Sequence, residues 1–140
     1  MRVVCTGVVP VPLPPAEAFA LFTPSGERAW AEGWDPRFPQ PTDDETAPGT
    51  VFETAHGAAT TWVVVARDPG RSIVYARVGH GDRAGTLAVE LAPAADGTTL
   101  ARVTYDLTAL TASAEPALAA FEAGYDEFLR HWTAAIAAAS

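Results

Sequence analysis

The side chains with chemistry to offer are few and dispersed. Histidines stand at 56, 80 and 131 and the only cysteine is Cys5. None of them forms the His-Glu-x-x-His or His-x-Glu spacing that sets ligands on one face of an element. No metal site is expected, and no cofactor. His80, between Gly79 and Gly81, reads as a turn residue, and His56 closes a strand. His131 falls on the flank of a helical apolar stripe, where it could serve as acid, base or ligand anchor, or simply face water. The serines, Ser25, Ser72, Ser113 and Ser140, lie outside any Gly-x-Ser-x-Gly elbow. Gly79, Gly81 and Gly85 do not have dinucleotide-loop spacing and no strand-to-helix transition follows them. All nine basic residues are arginine, which removes Schiff-base chemistry and the phosphate-loop lysine.

A formal net charge of −8 without a basic cluster argues against nucleic acid, whose backbone needs several cations on one face, and against anionic membrane surfaces. One cysteine allows no internal disulfide. Only four residues precede Cys5, too few for the apolar run of a lipoprotein signal. The apolar stretch 3–13 is broken by Gly7, Pro10 and Pro12, so it cannot insert as a spanning helix. With 49% apolar and 19% charged residues over a length of 140, the chain reads as one soluble, cytoplasmic domain, 1–140, large enough for a core of its own.

The elements that must position any site are legible. Over residues 116–139, Leu118, Phe121, Tyr125, Phe128, Leu129, Trp132 and Ile136 recur at steps of three and four, which predicts one long helix with a single apolar stripe. Pro116 suits its first turn. Between 50 and 110, β-branched runs alternate with turn chemistry, predicting strands over 51–56, 60–67, 72–78, 86–92 and 98–110, with another over 3–11. Pro15 opens a short helix over 16–22, and Thr23-Pro24 opens a second, to about Ala31. Residues 35–48, holding Pro36, Pro39, Pro41 and Pro48, read as a loop with room for one short edge strand. The class is therefore α+β: a curved antiparallel sheet of six or seven strands around a C-terminal helix, the one element able to cover it.

Parity assigns faces. A four-residue turn at 68–71 pairs Arg67 with Ser72 and puts Trp62, Val64, Ile73, Tyr75 and Arg77 together. A four-residue turn at 79–82 adds Thr86, Ala88 and Glu90, and a two-residue Asp96-Gly97 turn adds Ala101, Val103, Tyr105 and Leu107. The opposite face keeps Val63, Val65, Val74, Val78, Leu87, Val89 and Leu91, too apolar for a solvated surface, so a bulge or odd-length loop must switch part of the pattern. An inward Arg77 has to pair with Glu90, a tyrosine hydroxyl or an anionic ligand group, or else sit at a strand end in water. Trp30, Trp34, Trp62, Tyr75, Tyr105, Phe121, Tyr125 and Phe128 either fill a core or wall a cavity.

The element order, together with the runs Leu21-Phe22-Thr23-Pro24-Ser25-Gly26-Glu27-Arg28-Ala29-Trp30 and Gly33-Trp34-Asp35-Pro36, resembles the SRPBCC superfamily. That group includes START lipid-transfer domains, birch-pollen-allergen-like proteins and polyketide cyclase/dehydrases. Thr61-Trp62-Val63-Val64, Gly97-Thr98-Thr99, Thr104-Tyr105 and a terminal helix with Phe121 and Trp132 carry the likeness across the whole chain. The resemblance implies a helix-grip fold with a cavity between sheet and terminal helix that holds a small apolar or aromatic molecule, lipid or polyketide-like. It makes Trp30, Trp34, Trp62, Tyr75, Arg77, Tyr105, Phe121, Tyr125 and Phe128 the expected ligand contacts. If the cavity is instead a cyclase or dehydratase site, Arg77, Tyr105 and His131, with Tyr75, are the proton-transfer candidates. A filled core with an apolar outer patch would point to a protein-interaction module of chaperone-activator type. The residues do not specify an oligomeric state.

Overall fold

The computed structural model describes residues Met1–Ser140 except His56, so the expectation placed on His56 lies outside the described residues. The chain runs β1 (Arg2–Val11), α1 (Pro15–Leu21), a 3-10 turn (Gly26–Ala29), β2 (Val51–Thr54), β3 (Thr60–Asp68), β4 (Ser72–Gly79), β5 (Arg83–Pro93), β6 (Thr99–Ala109), α2 (Glu115–Ala123) and α3 (Tyr125–Ala139). The six strands form one antiparallel sheet in the order β1-β6-β5-β4-β3-β2. This is the helix-grip fold: β2 to β6 meander, β1 joins the far edge beside β6, and the terminal helices lie on the concave face. The loop over 35–48 lends its expected edge contact, a bridge from Arg37 to Glu53 outside β2.

Two helical expectations are corrected. The second short helix is only a 3-10 turn, Gly26–Ala29. The terminal helix is two segments meeting at Gly124, whose backbone leaves helical values at φ −97°, ψ 11°. Glycine is the weakest non-proline helix former, and the break falls in the middle of the apolar stripe.

The facing of the strands also differs in the predicted way. Asp68, not Arg67, pairs with Ser72, and a bulge at Val65 restores the phase, so Trp62 faces Arg77 and Val64 faces Tyr75. Val78 pairs with Ala84 and Pro93 with Thr99, which makes both following loops odd in length. β5 is therefore inverted relative to the parity expectation, with Leu87 and Val89 buried and Thr86 and Glu90 exposed. The second odd loop restores β6, whose Ala101, Val103, Tyr105 and Leu107 face inward as expected. Glu90 lies on the outer face opposite Ser72 and Arg102 and is no partner for Arg77.

The core sits between α2–α3 and the β1–β6–β5 half of the sheet, where Leu118, Ile136, Val9, Val103 and Leu107 are almost wholly buried. Gly7 permits that contact. A Cβ on it would come within 2.5 Å of Leu129 Cδ1, so its bare backbone is what lets α3 lie close to β1. Ile136→Ala, removing a fully buried side chain from the helix face, is expected to lower stability by about 2–5 kcal/mol. A denaturant titration checks this through a drop in midpoint at unchanged slope.

Candidate functional site: an aromatic cavity between sheet and terminal helix

At the other end of the sheet the terminal helix does not touch β3 and β4 closely, and a cavity of about 930 Å³ opens there. The 3-10 turn supplies Glu27, and the residues after it Trp30, Ala31 and Trp34. The sheet supplies Thr54, Trp62, Arg77, Arg83, Leu87 and Tyr105, and the helices Phe121, Phe128, Trp132 and Ala135. Most of this wall is carbon, with a few polar groups among it, the usual make-up of a small-molecule pocket.

The rings are held by their polar tips. Trp30 Nε1 donates to Leu21 O at 2.8 Å, Trp34 Nε1 to Pro24 O at 2.7 Å and Trp62 Nε1 to Thr54 Oγ1 at 3.0 Å. They also pack edge to face: Trp30 with Trp132 at 5.0 Å between centroids, Trp34 with Trp62 at 5.7 Å and Tyr105 with Phe121 at 5.3 Å.

Of the residues expected from the sequence, Trp30, Trp34, Trp62, Arg77, Tyr105, Phe121 and Phe128 line this space. Tyr75 and Tyr125 do not, and that expectation is corrected. Tyr75 is buried beneath the wall with its hydroxyl donating to Phe22 O at 2.6 Å, and Tyr125 packs on β6 with its hydroxyl donating to Val103 O at 2.7 Å. Burial holds both phenols neutral by raising their pKa values. Among the proton-transfer candidates, Tyr105 is buried at the cavity wall and has its pKa raised, mainly by desolvation. His131 stands on the rim with its side chain 75% exposed, its Nε2 3.2 Å from Glu127 Oε1. That placement makes it a surface group at the mouth rather than an interior acid or base.

Two residues that sequence reasoning passed over are central. Glu27 is only 7% exposed, lines the cavity, and its carboxyl makes no hydrogen bond or salt bridge among the described residues. Desolvation pushes its pKa well above the ordinary carboxylate value. The turn that places it is tight: a Cβ at Gly26 would fall 1.7 Å from Ala20 O, and Ser25 Oγ donates to Glu45 Oε2 at 2.6 Å. A signal existed, since Glu27 precedes Trp30 by three residues and so shares its face in any helical turn. Arg83 was hidden by the odd loop before β5, which turns it inward with Leu87.

Arg77 lies across from Trp62 in the β3–β4 pair, its guanidinium carbon 5.6 Å from the indole centroid. Its Nε is buried without a hydrogen-bond partner. Desolvation lowers its pKa, with the neighbouring Arg83 charge adding to the shift and the Asp82 carboxylate opposing it.

The chain is matched by the family model described as polyketide cyclase / dehydrase and lipid transport over residues 2–137. It belongs to that family, within the SRPBCC superfamily. Similar solved structures include a protein from Rhizobium leguminosarum (TM-score 0.69, 18% identity, 97% of this chain and 95% of that one). Ara h 8.0201 is similar too (TM-score 0.66, 14% identity, 99% of each chain). DynU16, a protein of the dynemicin biosynthetic locus, matches at TM-score 0.65 and 17% identity over 93% of this chain. This chain spans only 45% of DynU16. At such identities these likenesses establish the fold alone. No curated protein matches the chain. Among the described residues, no helix is long and apolar enough to cross a membrane.

Two stability measurements test the polar groups of the wall. A carboxyl whose pKa is raised by folding weighs nothing against the native state below the unfolded value of about 4.3, and progressively more above it. Glu27→Gln is therefore expected to exceed the parent in stability at pH 7, with the gap closing by pH 4, as read from denaturant midpoints at the two pH values. Arg77→Met removes an unpartnered buried donor, a penalty of about 1–3 kcal/mol, against a cation–π contact of about 0.5–2 kcal/mol. The variant is expected to be at least as stable as the parent in the same assay.

Proposed function

We propose that the protein binds a small apolar or aromatic metabolite, lipid or polyketide-like, in the cavity between the sheet and the terminal helix. The observation that carries this reading is the cavity itself, about 930 Å³ of space walled by rings that are pinned open. That volume is at the upper end of what small-molecule sites enclose. An apolar guest gains about 25 cal/mol per Å² removed from water, and the losses of association leave an affinity in the micromolar range. The open interior favours a ligand site over the interaction-module alternative, for which a filled core with an apolar outer patch would speak.

A second reading, cyclisation or dehydration of a polyketide-type chain, draws support from the family's description and from Glu27. A carboxyl whose pKa is raised by burial, facing an aromatic cavity with Tyr105 in the same wall, is placed to deliver a proton to a substrate oxygen. The two readings differ in what leaves the cavity: a binder returns its ligand unchanged, whereas a cyclase or dehydratase releases a product lighter by water or isomeric with the substrate.

Native mass spectrometry of protein taken directly from cells is expected to show a co-purified small molecule at about one equivalent, and an added fatty acid or flat aromatic polyketide is expected to quench tryptophan emission saturably. Because Trp30, Trp34, Trp62 and Trp132 all line the cavity, Trp62→Phe is expected to reduce that response rather than abolish it. No mass adduct together with no response to any apolar probe would refute the reading.

A further inference from the structure

The polar groups of the cavity are unevenly distributed. Arg77 and Arg83 stand together where the β4–β5 turn closes one end, each with its guanidinium laid on an aromatic face, Arg77 at 5.6 Å from Trp62 and Arg83 at 5.6 Å from Phe121. Both Nε donors are buried and unsatisfied. Arg83 Nε comes 3.2 Å from Asp82 Oδ2, but out of line for a hydrogen bond. Asp82 is the one carboxylate close to the pair. Its Oδ2 and Arg77 Nη2 lie 3.5 Å and 3.1 Å from where a Cβ of Gly79 would stand, and no carboxylate is within ion-pair distance of Arg77 among the described residues. Glu32 also lines the cavity but is exposed and pairs with neither arginine among the described residues, so at the β4–β5 end two cations face the single carboxylate of Asp82.

Glu27 does not balance the second cation by pairing: it forms no ion pair with either arginine among the described residues, and burial disfavours its charged form. At the rim Glu127 is already engaged by Arg130 and His131. A surplus cation desolvated against aromatic faces with an orphaned donor is a costly arrangement for folding alone. It becomes favourable when a desolvated anion completes the hydrogen bonds, because charge-assisted bonds to guanidinium are among the strongest a protein makes.

We infer that the cavity takes a monoanionic ligand, a carboxylic acid with an apolar or flat aromatic body, whose carboxylate lies between Arg77 and Arg83 while the body runs along Trp62 and Phe121. The buried carboxyl of Glu27, on the cavity wall, then meets an uncharged polar group, such as a carbonyl or hydroxyl, farther along the ligand. This rests on the binding function proposed above and adds the ligand's charge and its orientation, acid end toward the β4–β5 turn.

Isothermal titration of the full chain with two matched pairs, decanoate against decanol and 2-naphthoate against 2-naphthamide, separates the claims. Each acid is expected to bind at least about tenfold more tightly than its neutral partner, the difference that one charge-assisted hydrogen bond makes. In Arg77→Gln and in Arg83→Gln the acid-to-neutral ratio is expected to fall toward one, and in Arg77→Lys, which keeps the charge, to be largely retained. Binding of the neutral partner, together with circular dichroism, reports that each variant is folded. Equal affinity within both pairs, or an acid preference that survives both Gln variants, overturns the inference while leaving the binding function standing. No saturable heat from any of the four compounds overturns the binding function, and the inference with it.

Discussion

The indole nitrogens of Trp30, Trp34 and Trp62 donate to Leu21 O, Pro24 O and Thr54 Oγ1, and the Tyr75 hydroxyl donates to Phe22 O. The cavity depends on these four bonds. Large rings beside a void would ordinarily swing into it, since every ångström of gap forfeits dispersion contacts. Each of these rings would have to abandon a buried backbone or hydroxyl oxygen to do so, leaving donor and acceptor unsatisfied at a cost of about 1–3 kcal/mol per group. The Tyr75–Phe22 bond fastens the end of α1 to the sheet, and the Trp30–Leu21 and Trp34–Pro24 bonds hold the segment around the 3-10 turn together, which sets the position of Glu27.

A packed end and an open end coexist in one sheet. Beside β1 and β6, Gly7 admits α3 to close range and Leu118, Leu129 and Ile136 fill the gap. Toward β3 and β4 the helix stands off, and its Phe128 and Trp132 meet the rings of Tyr105 and Trp30 edge-on rather than interdigitating with aliphatic side chains. Both segments of the helix serve both regimes, α2 through Leu118 and Phe121 and α3 through Leu129, Ile136, Phe128 and Trp132. Beside β2–β4 the core is closed by Phe22, Phe52, Val64, Ile73 and Tyr75, and the open end holds groups that a close-packed core would reject: a desolvated carboxyl and two arginines with orphaned Nε donors.

Those groups are poor stabilisers and good recognisers, because desolvation that weakens an unpaired charge strengthens whatever bond finally satisfies it. The aromatic faces under Arg77 and Arg83 offset part of the desolvation and fix the guanidinium planes. The cavity thereby sets two arginines toward the β4–β5 turn and a buried carboxyl on the 3-10 turn.

Local pattern by itself determined a good deal: the strand and helix order, the single apolar stripe from Leu118 to Ile136, and the aromatic positions able to wall a cavity. Periodicity and turn chemistry suffice for these because they act between neighbours in sequence. Which of those aromatics face the void was decided only by tertiary structure. Tyr75 and Tyr125 fit the same pattern as Tyr105, but their hydroxyls find carbonyls at Phe22 and Val103 and draw both rings into the core. The bulge at Val65 and the odd loops flanking β5 changed which side chains point inward, and a one-residue change of phase inverts a whole strand. Glu90 therefore moved out and Arg83 in. Glu27 came to the wall because the tight turn at Gly26 and the indole bonds to α1 place it there. These outcomes depend on pairings and hydrogen bonds between residues far apart in the chain, which is why no stretch of sequence taken alone contained them.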